Sequence, residues 1–267
     1  MSIRVAKNAG SFYPNSAKEI EKLIEMFNTI IDKNSAFKKN LNISPKAIIS
    51  PHAGYIYSGF TANIAHRVLA NSKVKRVVVI GPSHHTYFKG VSASYYQKYQ
   101  TPIRDLEIDL DYLTVMKKNF DLKFVESAHH LEHSTETQMP FIAHYQPNVK
   151  VIELIYGDVD YRELAKIISW LLEDNLTSVV ISSDLSHFYS NEKAKVLDSI
   201  CINGVKKLDN TILDMGCEAC GILGIKGAVK SAIKLHLKSQ ILDYRTSGDV
   251  TGDESRVVGY MSAALST

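Results

Sequence analysis

The chain lacks any long hydrophobic run. Its longest apolar stretches, such as Val77-Val78-Val79-Ile80, fall far short of the roughly 20 residues that a membrane-spanning helix requires. A strong charge of one sign is missing too: 31 Lys and Arg stand against 28 Asp and Glu, a net charge of +3. The basic residues are scattered rather than striped, so neither nucleic acid nor a membrane surface is an expected partner. Cysteine is scarce, with 3 in 267 residues, too few for a disulfide framework. No Pro-, Gly- or Ser-rich linker, repeat or low-complexity segment divides the chain, so residues 1–267 are expected to form one domain. The first residues, Met1 to Asn8, carry no apolar stretch of the secretory kind, and a cytoplasmic location is expected.

What is present is a soluble composition, 45% hydrophobic and 22% charged, and ten histidines, several of them where turns should fall. Ser16 and Glu19 have capping-box spacing, and Ile20, Leu23, Ile24, Phe27, Ile30 and Ile31 share a stripe, which predicts a helix from Ser16 onward. Further helical patterns cover 60–69, 110–119, 134–145, 161–172 and 194–208, and strands are expected at 240–244 and 256–264.

Three segments repeat one pattern: a short β-rich apolar run, a turn, then a histidine. They are 47–50 followed by Pro51-His52-Ala53-Gly54-Tyr55, 76–80 followed by Gly81-Pro82-Ser83-His84-His85, and 178–183 followed by Asp184-Leu185-Ser186-His187. Continuous apolar runs between helical patterns suit a mixed or largely parallel sheet covered on both faces, hence a three-layer α/β/α sandwich. If the three strands run parallel, His52, His84 and His187 converge at the sheet edge where open α/β folds place ligands. Neutral imidazole is a good ligand for iron, copper and zinc. Gly54 and Gly81 read as tight-turn residues beside them.

A second cluster lies at 128–140, with His129, His130, His133, Glu132 and Glu136. His133 and Glu136, three apart, share a helix face and are candidates to line a site; His129 and His130 read as a solvated loop. Cys217-x-x-Cys220 lacks the second pair of a four-cysteine zinc site and the preceding strand of a thioredoxin-like motif. Cys220-Gly221 opens a helical stretch whose N-terminus is expected to lower the thiol pKa. Cys201 reads as a small buried hydrophobe.

Taken together, Pro51-His52-Ala53-Gly54-Tyr55, Gly81-Pro82-Ser83-His84-His85, Glu132-His133-Ser134, Asp184-Leu185-Ser186-His187 and Cys220-Gly221 resemble the Memo family. Ala9-Gly10-Ser11-Phe12-Tyr13-Pro14 and Thr101-Pro102 extend that resemblance over nearly the whole chain. It implies a single Memo-like domain, similar in fold to the class III extradiol dioxygenases. It also implies metal ligands at His52, His84 and Cys220, with His187 and Asp184 as catalytic candidates beside them. His133, Glu136, His85 and Tyr55 are candidates for substrate contacts. A thiolate tolerates Cu(I) as well as Fe(II), so iron is the expected metal and copper the alternative. Cys217 departs from the family pattern and is in a position to compete as a ligand or to pair with Cys220. Two functions follow: a metal-dependent oxidoreductase acting on an unidentified small molecule, or a non-catalytic adaptor whose inherited pocket binds a peptide or protein. The resemblance further implies a pathway shared with an AMMECR-type protein and a radical SAM protein.

Overall fold

The computed structural model describes residues 2–38 and 41–267. At its centre, four neighbouring strands run parallel in the order Ala47–Ser50, Thr177–Ser182, Arg76–Pro82 and Lys150–Tyr156. Val and Ile dominate them and nearly every position is buried, as a sheet covered on both faces demands. On one side Val257–Ser266 runs antiparallel to Ala47–Ser50 and also carries Lys238–Thr246 and His187–Tyr189. On the other, Val91–Ala93 runs antiparallel to Lys150–Tyr156 and pairs in parallel with Leu122–Lys123. Helices flank this mixed nine-stranded sheet, so the three-layer α/β/α class expected from the sequence is the class observed.

Helix Ala17–Lys33 buries Ile20, Ile24, Phe27 and Ile31, the spacing of one helical face. Two details differ from expectation. The Ser16 side chain makes no capping bond, its carbonyl accepting Ile20 N–H instead, and Ile30 is 48% exposed. The helix expected over 134–145 is two pieces, His133–Glu136 and Met139–Tyr145. Pro140 supplies the reason, since proline fits the first turn of a helix but would clash with the carbonyl four residues earlier inside one.

Strand Lys150–Tyr156 escapes the sequence pattern because Glu153 interrupts its apolar run. That carboxylate is fully buried and accepts hydrogen bonds from Thr135 Oγ1 (2.6 Å) and Tyr99 OH (3.0 Å), with His129 Nδ1 at 2.7 Å. His129 is therefore a core residue rather than part of a solvated loop; His130 alone is exposed. Burial works to raise the Glu153 pKa, but the charges of His129 and Arg4 outweigh it and hold it below the usual carboxylate range. Arg4, itself 2% exposed, pairs with Glu136 at 3.1 Å and stands 3.9 Å from Glu153.

One guanidinium thus serves two buried carboxylates. Removing one partner of a buried ion pair costs about 3–5 kcal/mol, because the charge left behind has no compensation. Arg4→Met is expected to lower the unfolding free energy by about that amount in urea titrations; an unchanged midpoint and slope would show that Arg4 is not what neutralises Glu136 and Glu153.

Candidate metal centre

The parallel register of the central strands brings their C-terminal ends to one edge of the sheet. His52 follows Ala47–Ser50 by two residues, His84 follows Arg76–Pro82 by two, and Asp184 follows Thr177–Ser182 by two. Cys220 arrives from the opposite direction, just before helix Ile222–Lys234. Gly221 lets it come so close: a Cβ there would lie 2.6 Å from Ser183 Cβ and 2.7 Å from Ser182 O. Gly81 has a similar use. It lies inside a strand rather than a turn, and its missing side chain leaves room for Ser134 Oγ, which a Cβ would meet at 2.6 Å.

One donor atom each from His52, His84 and Cys220 lies within 4.8 Å of the other two, and Cys220 Sγ stands 3.3 Å from His52 Nε2. Bonds of about 2 Å put two donors of one ion roughly 3 to 4 Å apart, so small side-chain movements suffice to seat one.

The neighbours settle which nitrogens are available. Ser182 Oγ donates to Ser134 O (2.5 Å), so it accepts from His52 Nδ1 (2.9 Å) and from Gln138 Nε2 (3.0 Å). The His52 proton is therefore on Nδ1, and the Nε2 lone pair faces the cysteine. For His84, Nδ1 stands 2.8 Å from Glu132 Oε1, while the His84 backbone N–H donates to Glu132 Oε2 at 2.6 Å. A carboxylate behind a histidine fixes the tautomer and strengthens the opposite nitrogen as a ligand.

Glu132 also accepts Ser134 N–H, and its carbonyl accepts from Arg4 Nη2. Burial acts to raise its pKa, but the hydrogen bonds and charge of His84, with the backbone bond from Ser134, bring it down to about 2. Glu132 is the site residue to which the sequence assigned no role, although it lies in the 128–140 cluster and in the Glu132-His133-Ser134 segment of the family resemblance. The donor atoms of His84, Glu132 and His133 also cluster, but the carboxylate oxygens there are already occupied as acceptors.

His133 stacks between Phe12 (ring centroids 4.5 Å apart) and His84 (4.6 Å). Burial first, then the facing His52 and His84, lowers its pKa to about 4; burial and His84 lower that of His52 to about 3. Both imidazoles are neutral at neutral pH. Asp184 Oδ1 accepts His52 N–H at 2.8 Å, and burial raises its pKa against the opposing effect of that bond and of His187. The Cys220 thiol is pushed up to about 12 by burial and by the nearby Asp184, opposite to the expected lowering, because desolvation outweighs the helix N-terminus.

Two clefts flank the ligand cluster. One, of about 470 Å³, has Phe12, Tyr57, His133, Asp184, His187 and Tyr260 among its walls; the other, of about 450 Å³, includes His84, His85, Tyr87 and Cys220. The structure thus gathers His52, His84, Cys220, Asp184 and His133 and sets His187 and His85 on the walls. It places Tyr55 and Glu136 elsewhere. Tyr55 is 2% exposed, donates to Thr137 O and stacks on Phe141; the nearby Tyr57 lines the cleft instead. Glu136 is buried against the N-terminal segment, accepting from Asn8 N, Lys7 N and Tyr13 OH. Cys217 pairs neither with a metal nor with Cys220: it is disulfide-bonded to Cys201, which is therefore no free buried thiol.

A family profile described as Memo-like protein matches residues 4–264. The chain belongs to the Memo family. Curated relatives agree. A MEMO1 family protein of Aquifex aeolicus is 32% identical, with 98% of each chain covered. That of Desulfurococcus amylolyticus is 34% identical over 94% of this chain and 95% of its own, and that of Archaeoglobus fulgidus is 31% identical over 97% of both. Among the described residues of this Memo family member, no helix is long and apolar enough to cross a membrane.

Behind the site, His66 Nε2 meets Gln138 Oε1 at 2.7 Å, and the Gln138 amide donates to Pro51 O (2.8 Å) and Ser182 Oγ. Burial lowers the His66 pKa to about 4 from 6.5, only partly opposed by Gln138. A depressed folded-state pKa means that this contribution to stability is complete above the unfolded value and is lost as pH falls from 6.5 toward 4. The unfolding free energy is expected to decline across that window, and His66→Gln to flatten part of the decline. Identical pH slopes for the two proteins in urea titrations would count against it.

Proposed function

We propose that this Memo family protein is a metal-dependent oxidoreductase whose ion is held by His52, His84 and Cys220, with Fe(II) as the native metal and copper the alternative. The observation that carries the reading is that the three donors lie within 4.8 Å of one another, with both imidazole Nδ1 atoms engaged by Ser182 and Glu132. The donor set fits a transition ion: two imidazoles and one potential thiolate, softer than the two-histidine, one-carboxylate set of many ferrous oxygenases and tolerant of Cu(I). Bound there, such an ion supplies Lewis acidity and, for iron or copper, one-electron chemistry with oxygen.

The chain's own residues supply the rest. Glu132 and Ser182 orient the two imidazoles. Phe12, Tyr57 and Tyr260 form an aromatic wall beside the ligands, suited to a flat organic substrate. His187, on the same wall, is placed to exchange a proton with that substrate, and Asp184, whose carboxyl is raised by burial, holds the His52 backbone in register.

Protein purified without chelator is expected to carry iron, or copper, close to one ion per chain. His52→Ala and Cys220→Ser should lose most of it, and Glu132→Gln should weaken affinity about 10–100-fold. Full metal content in both ligand variants would refute the assignment. Anaerobic loading with Fe(II), followed by oxygen-uptake assays across catechol-like compounds, tests the activity. The adaptor reading draws on the apolar rings at the cleft mouth, where Phe188 is 62% exposed and Tyr57 37%. Full metal occupancy without oxygen uptake on any compound favours that reading.

A further inference from the structure

Of the three proposed ligands, Cys220 alone comes from outside the strand ends, and the stretch leading to it is largely exposed between the buried Leu213 and Ala219, with Asp214 paired to Lys226 of the helix that follows. Leu208 closes helix Asn191–Lys207 in a left-handed conformation, Gly216 has φ 124°, and Asp214, Met215, Gly216 and Glu218 are all exposed. Its backbone is held by bonds within the stretch itself, Asp214 N to Asn210 O, Met215 N to Ile212 O and Cys217 N to Leu213 O. Its covalent cross-link to the rest of the fold is the Cys201–Cys217 disulfide, which joins it to helix Asn191–Lys207 three residues before Cys220. The two sulfurs differ in access. Cys201 is fully buried in its helix, whereas Cys217 is half-buried.

We infer that the Cys201–Cys217 bridge is a redox-sensitive tether that holds the Cys220 segment against the site, and that its reduction loosens the ligand. This rests on the metal-ligand reading of Cys220 for its consequence, though not for the tether itself. The reductant is a dithiol. One thiolate of it attacks the accessible Cys217 sulfur, the bridge breaks, and Cys201 leaves as a thiolate and takes up a proton. The second thiol of the reductant then displaces Cys217 from the mixed disulfide. The dithiol ends as a cyclic disulfide, and two electrons have passed to the protein as two cysteine thiols. The sheet and the two imidazoles are not covalently connected to this event, so the change is confined to the segment that carries the sulfur.

The experiment compares metal-free wild type, wild type treated with dithiothreitol, and the double variant Cys201→Ala with Cys217→Ala. Mass spectrometry reads Cys220 alkylation by iodoacetamide. The reduced protein and the double variant are expected to react at Cys220 about tenfold faster than the bridged protein, as local opening predicts. Hydrogen exchange in the reduced wild type is the second measurement, independent of whether the variant folds: the amides of Asp214, Met215 and Cys217 should lose protection while helix Ile222–Lys234 keeps its own. Unchanged alkylation, or protection lost uniformly over the chain, overturns the tether. A third readout is the rate at which Fe(II) leaves the loaded protein, expected to rise with reduction. If the bridged protein holds no metal while Cys220 alkylation still accelerates on reduction, the metal assignment fails and the tether stands.

Discussion

The candidate site depends on one constraint, the parallel alignment of Ala47–Ser50, Thr177–Ser182 and Arg76–Pro82. Strands that share a direction deliver their C-terminal ends to one edge, and chain segments remote in sequence meet there without any specific attraction between them. Were any of the three antiparallel, its polar turn would emerge at the far side of the sheet. Once the edge is formed, Ser182 does more than end a strand. Its hydroxyl donates to Ser134 O and accepts from both His52 and Gln138, joining the turn after one strand, the short helix at 133–136 and the helix that follows it. A buried hydroxyl with this many partners has little freedom, and neither does the imidazole it orients.

The second organising feature is how the fold accommodates three buried carboxylates on the same side. Glu132, Glu136 and Glu153 are all fully buried, a cost that is tolerable only where each is paired or multiply hydrogen-bonded. Arg4 serves two of these carboxylates, pairing with Glu136 and approaching Glu153, and donates to the backbone carbonyl of Glu132, whose own carboxylate is held by His84 and Ser134. The N-terminal segment is therefore part of the site's foundation. It neutralises the acids below the cluster and, through Phe12 on His133, forms part of the cleft wall. Charge is concentrated beneath the candidate ligands, whereas burial keeps the His52 and His133 imidazoles neutral, the state in which an imidazole can donate a lone pair to a metal.

Much of this was legible in the sequence, and the physical reasons divide it cleanly. The apolar runs ending in Pro51-His52, Pro82-Ser83-His84 and Asp184 announced the parallel strands, because a strand buried on both faces cannot alternate. Lys150–Tyr156 was illegible for the same reason in reverse: Glu153 breaks the run, and nothing local reveals that Arg4 and His129, 149 and 24 residues away, are waiting to pair with it. The histidine-rich segment misled because exposure cannot be read from residue type alone. Its His129 is core, its Glu136 supports the N-terminus, and its Glu132 became the orienting acid. Spacing left open a pairing of Cys217 with Cys220, but the observed partner of Cys217 is Cys201, sixteen residues upstream on a neighbouring helix. Pairing between elements is set by how they pack, which a local motif does not encode.

The three candidate ligands are held by supports of different stiffness, and this asymmetry shapes what the proposed site can do. His52 is 2% exposed and fixed through its backbone by Asp184 and through its ring by Ser182. His84 lies on an exposed turn yet is gripped twice by one buried carboxylate, at its backbone and at its ring. Cys220 depends on the close approach that Gly221 permits and on a weak contact from Asp184 N, 3.3 Å from the sulfur. A site built this way has two rigid neutral donors and one adjustable anionic one. Deprotonating a thiol that burial has pushed to about 12 requires a cation to stabilise the thiolate, so an ion and the third ligand should form the centre together rather than in sequence. In the proposed centre, coordination by sulfur would report on metal occupancy and on the conformation of the 214–220 stretch at once, which would make the cysteine, rather than either histidine, the point at which the rest of the molecule influences the centre.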